Sequence, residues 1–97
     1  MAKHSLESWT ILVEGIVQGV SYRASTRNFI RSNGFKICGH AKNLDNGNVE
    51  VFAQGPVEEL VQLENFCKKG PSLAKVTNLT TTKNGPVDPS LKEFLIK

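Results

Sequence analysis

The sequence predicts an α+β fold, the ferredoxin-like split βαβ sandwich, in which the order β-α-β-β-α-β builds a four- or five-stranded antiparallel sheet with two helices on one face. Three observations carry this expectation. Trp9, Ile11 and Val13 alternate as a half-buried strand requires, and from Tyr22 onward the apolar spacing becomes that of a helix. Residues 36–70 then read as strand, tight turn, strand and helix.

In the first strand, residues 9–13, Thr10 and Glu14 take the polar side and Leu12 interrupts it, which suits a central place in the sheet. Tyr22, Thr26, Phe29, Ile30 and Asn33 share one face of a helix over 22–33, with Asn33-Gly34 as its stop. Between them runs Gly15-Ile16-Val17-Gln18-Gly19-Val20-Ser21, a loop with two glycines. Residues 36–42 and 47–54 are strands joined through Leu44-Asp45-Asn46-Gly47, the residue types of a tight turn. Val49, Val51 and Ala53 form the apolar side of this hairpin against Glu50 and Gln54, and Phe52 breaks the alternation.

Pro56 suits the first position of the second helix, and Glu58 and Glu59 complement the positive end of its dipole. Val57, Leu60, Val61, Phe66 and Cys67 supply its apolar positions, and Lys68, Lys69 and Gly70-Pro71 close it. Residues 75–83 are Thr-rich and strand-like, with a parity slip between Val76 and Leu79 that signals a bulge, and residues 91–96 supply a last strand.

A chain of 97 residues suits one core, so residues 1–97 are expected to form a single domain. Apolar residues at 39% and charged residues at 22% exclude the composition of a disordered segment. The net charge of +3 favours anionic partners without choosing among them. Neither a signal peptide nor a membrane-spanning run is found, which points to the cytoplasm and to no membrane partner. Cys38 and Cys67 are far apart, and His4 and His40 have no acidic cluster beside them, so neither a metal site nor another cofactor is expected.

A glycine-bearing loop running into a helix collects outward N–H groups at the positive end of a dipole, a setting for a phosphate. Arg23 stands at the loop's end, where its fork can close on two oxygens. From spacing alone the plainer alternative stays open: the glycines let the chain turn, and Arg23 is a solvated surface residue. Arg27 and Arg31 continue the four-residue recurrence and are read as a solvated helix face.

The run Gly15-Ile16-Val17-Gln18-Gly19-Val20-Ser21-Tyr22-Arg23 closely resembles the acylphosphatase signature G-x-V-Q-G-V-x-F-R, and Gly39-His40-Ala41-Lys42-Asn43, followed by Gly47, Val49 and Gly55, resembles that family's second motif. The resemblance extends from Trp9 to the closing strand at Phe94. It implies hydrolysis of the carboxyl–phosphate bond of acyl phosphates, without a metal; a monomer is the default expectation. It implies that Arg23 and the backbone of Val17, Gln18, Gly19, Val20, Ser21 and Tyr22 bind the phosphoryl group, while Asn43 orients the attacking water. Inorganic phosphate or another oxyanion is then product or inhibitor. Without the second motif, Asn43 would read as a turn residue.

Two positions depart from the family pattern. Tyr22 replaces the usual Phe and adds a hydroxyl that needs a partner if buried, and His40 replaces an aromatic residue, which would alter packing beside the site. Two rival readings share the topology. An RNA-binding module needs stacking aromatics on the sheet, but the third strand has only Phe52 and lacks the K/R-G-F/Y-G/A-F-V-x-F/Y run, so no nucleic-acid partner is expected. A regulatory acyl-phosphate or carbamoyl-phosphate binding domain is the other.

Overall fold

The computed structural model describes residues 6–19 and 21–97. Among them the elements run β1 (Leu6–Ile16), α1 (Tyr22–Ser32), β2 (Cys38–Asn43), β3 (Val49–Pro56), α2 (Val57–Lys69), β4 (Lys75–Gly85) and β5 (Phe94–Ile96). The sheet order is β4-β1-β3-β2-β5, with β1 an interior strand between β4 and β3 and the β2–β3 hairpin beside it. This is the split βαβ arrangement the sequence predicts, and no helix among the described residues is long and apolar enough to cross a membrane.

The alternation in β1 works as read: Trp9, Ile11 and Val13 are buried beneath the helices, alongside Val49, Val51 and Ala53 of β3 and Ala41 of β2. On the other face Thr10 lies opposite Phe52 and Leu12 opposite Glu50, while Phe52 also pairs with His40. Phe52 breaks the pattern because it lies against the His40 ring, centroids 5.6 Å apart, on the face the helices leave open. The parity slip in β4 is a bulge: Glu14 faces Asn78 but Gly15 faces Val76, leaving Thr77 over.

The sheet is mixed rather than wholly antiparallel, because β5 pairs with β2 in parallel. The order of the sheet requires this. β4 runs antiparallel to β1, and two antiparallel steps through β3 make β2 run with β1, so a chain that leaves β4, crosses to the far edge and turns back must run with β2. The crossing segment is clamped by buried Gln54, whose Nε2 donates to the Asp88 carbonyl at 2.8 Å while its Oε1 accepts from the Asp88 N–H at 2.7 Å. Ser8 Oγ donates to the same Gln54 oxygen at 3.0 Å.

Both helices keep their predicted positions with altered detail. In α1 the buried stripe is Tyr22, Thr26 and Ile30, whereas Asn33 lies outside it as the C-cap and donates from Nδ2 to the Phe29 carbonyl at 2.8 Å. In α2 the buried positions are Leu60, Leu63 and Cys67. Val61, read as apolar face, is 41% exposed, because an i, i+3, i+7 stripe passes through Leu63 instead. Pro56 is the N-cap in extended conformation, φ −61° and ψ 138°, rather than the first helical residue, since β3 still pairs with Leu6 there.

Candidate active site

The turn from β1 into α1 lies at one end of the sheet. Gly19 has φ +73°, a conformation only glycine adopts without cost, and Ser21 has φ 60°, the one positive value at a non-glycine among the described residues. Such local strain, on the order of 1–2 kcal/mol, persists where the surroundings hold it. Ser21 occupies the N-cap of α1 without a capping side-chain bond, and the first turn holds no acidic residue. The orphan N–H groups and the positive pole of this helix are therefore left without a resident carboxylate.

A cleft of about 350 Å³ opens here, lined by Val17, Gly19, Ser21, Tyr22, Arg23, Ala24, Asn43 and Ile96. The two motifs, twenty residues apart between Arg23 and Asn43, thus share one cavity. Val20, also expected here, lies outside the described residues. Gln18 belongs to the turn, but its side chain goes to the hairpin, donating to the carbonyls of Leu44 and Asn48. Arg23 Nη1 donates to the Lys97 carbonyl at 2.5 Å, which steers the guanidinium from one side and leaves its remaining donors for other work.

Asn43 reaches the cleft from the end of β2. Its Oδ1 is buried and accepts no hydrogen bond among the described residues. An unmet buried acceptor costs about 1–3 kcal/mol, so it calls for a donor that the described residues do not supply. None of the lining residues is Asp, Glu, His or Cys. With the Tyr22 hydroxyl committed to the Cys67 carbonyl, no described lining side chain is placed to protonate a leaving group, and the arrangement suits displacement of a group that departs as a stable anion.

The departure at Tyr22 is accommodated. Its hydroxyl donates to the Cys67 carbonyl at 2.7 Å, joining α1 to α2, and burial raises the phenol well above its ordinary range. Burial likewise pushes the Cys67 thiol up to about 12. His40 corrects the expectation that it packs beside the site. Gly39 and Ala41 are buried toward the helices, so His40 points to the open face, with Nε2 at 2.9 Å from Glu50 Oε2. Strand parity in residues 39–43 carried that signal.

Two lining residues escaped the sequence reading. Ala24 could have been found as the neighbour of Arg23 on the first helical turn. Ile96 had no local signal, because only the β2–β5 pairing brings it there. Arg27, read as solvated, is half-buried, and its Nε is buried without a hydrogen-bond partner among the described residues, whereas Arg31 is exposed. Among the described residues no three His, Cys, Asp or Glu side chains gather as a metal site would.

Fold and cleft together define a ferredoxin-like α+β protein with an anion-suited pocket at a helix N-terminus. The acylphosphatase family model matches residues 9–96, and the chain belongs to the acylphosphatase family. An acylphosphatase of Synechococcus sp. strain CC9311 is 40% identical over 77 residues, covering 79% of this chain and 83% of that protein. One from Thermotoga petrophila is 38% identical over 92 residues, covering 95% and 98%. The crystal structure of acylphosphatase from Bacillus subtilis superposes with a TM-score of 0.85 at 31% identity, covering 94% of this chain and 98% of that one. The activity of the chain is that of its family, hydrolysis of acyl phosphates to a carboxylate and inorganic phosphate.

Proposed function

We propose that residues 1–97 act as one domain in which Arg23 and the backbone of the turn from Val17 to Tyr22 hold the phosphoryl group and Asn43 orients the water that attacks it. The observation that carries this reading is that Asn43 lines the same cleft as Arg23 while its Oδ1 has no hydrogen-bond partner among the described residues. A water donating one hydrogen to that oxygen satisfies it and is held with its lone pair free. The water oxygen bonds to phosphorus as the carboxylate departs with its electron pair, and the water's proton passes to a phosphoryl oxygen of the substrate. An amide is too weak a base to take that proton itself. Catalysis rests on positioning and on charge stabilisation by Arg23 and the helix N-terminus.

The leaving carboxylate is a weak base and needs no acid, so the reaction proceeds without a metal or other cofactor. The proposal extends to a monomer working in the cytoplasm on a small molecule, with no nucleic-acid or membrane partner. Purified protein is expected to hydrolyse benzoyl phosphate at the same rate with and without EDTA, and to leave alkyl phosphate monoesters nearly untouched. Inorganic phosphate should inhibit competitively. Loss of activity in chelator, or comparable turnover of monoesters, would refute the mechanism.

A further inference from the structure

One side chain fastens the turn before α1 to the hairpin that carries Asn43. Gln18 Nε2 donates to the Leu44 carbonyl at 2.7 Å and to the Asn48 carbonyl at 2.9 Å, across 26 and 30 residues of sequence. These carbonyls already close the hairpin: Gly47 N–H donates to Leu44 O at 3.1 Å, and Leu44 N–H donates to Asn48 O at 2.8 Å. An amide nitrogen has two hydrogens and a carbonyl two lone pairs, so Gln18 fills the remaining capacity of all three groups.

The position of this contact matters more than its strength. In the sheet β3 lies between β1 and β2, so no ladder hydrogen bond joins the turn after β1 to the turn after β2. Strands two apart are separated by about 9–10 Å. The phosphate-facing turn and Asn43 therefore sit on elements whose relative placement the ladder determines only through β3, and Gln18 spans the gap directly. Its anchor at Leu44 is one peptide bond from Asn43, and its own neighbours Val17 and Gly19 line the cleft. The task calls for two donors on one uncharged atom. A Glu would turn acceptor oxygens toward two carbonyls, and a Lys would add a charge beside the anion site.

We propose that the Gln18 side chain is a positioning residue for hydrolysis, setting the placement of Asn43 relative to the loop so that water and phosphoryl group stand in line. This rests on the role assigned to Asn43 above. Gln18→Leu keeps the side-chain size and removes both donors. With benzoyl phosphate, kcat should fall about tenfold, as a displacement of a fraction of an ångström warrants, while the competitive inhibition constant of inorganic phosphate stays within about threefold. In an Asn43→Ala background the same substitution should change kcat by less than about twofold, because the placement no longer serves a water-orienting group.

Thermal melts of the four proteins accompany the kinetics, and Gln18→Met replaces Gln18→Leu under the same criteria if the leucine variant does not fold. A purely structural role predicts equal losses of kcat in both backgrounds, or a lower melting temperature with kcat unchanged, and either result overturns the proposal. Phosphate affinity falling in step with kcat also overturns it, since Gln18 would then shape the loop alone. If Asn43→Ala by itself retains near-normal turnover, the Asn43 reading fails. If Asn43→Ala is impaired and Gln18→Leu is not, only the positioning role fails.

Discussion

Arg23 and Asn43 meet the same cleft with different chemistry, a charged fork and a neutral acceptor, and mutation should separate them. Arg23→Ala removes a charge-assisted contact, so phosphate affinity and turnover should fall together, with kcat down by about 10²-fold or more. Arg23→Lys should recover little, because a point charge does not reproduce the fork and is less suited to the Lys97 carbonyl contact. Asn43→Ala should lower kcat by a comparable ~10²-fold and leave phosphate affinity within about threefold. Phosphate titration beside steady-state kinetics reads both effects. Near-normal kcat in Asn43→Ala would reduce Asn43 to a turn residue.

At the level of elements, the β1–β4 bulge determines how the chain enters the active-site turn. Gly15 sits at the register shift with φ +131°, and a Cβ there would lie 2.0 Å from the Lys75 carbonyl oxygen and 2.8 Å from the Thr77 nitrogen. Both obstacles are backbone in the neighbouring strand, so neither can swing aside. Gly15→Ala should therefore destabilise the fold by roughly 1–3 kcal/mol or more. For a domain near 100 residues that is a fall in melting temperature of about 5–20 °C. A melting temperature within two or three degrees of the parent, on the order of experimental scatter for such a domain, would show that the two strands are not locked at this point.

For the molecule as a whole, the join between α1 and α2 makes stability sensitive to alkali. The Cys67 thiol ionises near 9.0 when free but near 12 in the fold, where burial disfavours the thiolate. Between these values the unfolded chain has lost the proton that the native state keeps, so stability falls as pH rises through this window. The slope reaches about 1.4 kcal/mol per pH unit from this one group. Tyr22, raised by its own burial, adds in the same direction above its ordinary value of 10.0. Denaturant midpoints measured from pH 8 to 11 should decline, and Cys67→Ala, although less stable at the outset, should decline less steeply. Parallel slopes for the two proteins would show that the thiol does not carry the effect.

Much of this architecture was legible in local pattern. The alternation of Trp9, Ile11 and Val13, the turn chemistry of Asp45-Asn46-Gly47 and the slip between Val76 and Leu79 each depend on neighbours in sequence, and each reappears in the structure. The two motifs also single out Arg23 and Asn43, and both residues line one cleft. What local pattern lacks is direction and distance between remote segments. The parallel course of β5, the arrival of Ile96 in the cleft and the Lys97 carbonyl beside Arg23 all follow from a crossing of the sheet, and residues 94–97 read the same whichever way they pair. Leu63 rather than Val61 lies in the core because it shares a helical stripe with Leu60 and Cys67, a spacing present in the sequence that the reading passed over. The bridge from Gln18 to the hairpin, like the course of β5, has no local signal: a glutamine's partners 26 and 30 residues away are determined only when β3 inserts between β1 and β2 and brings the two turns within reach of one side chain.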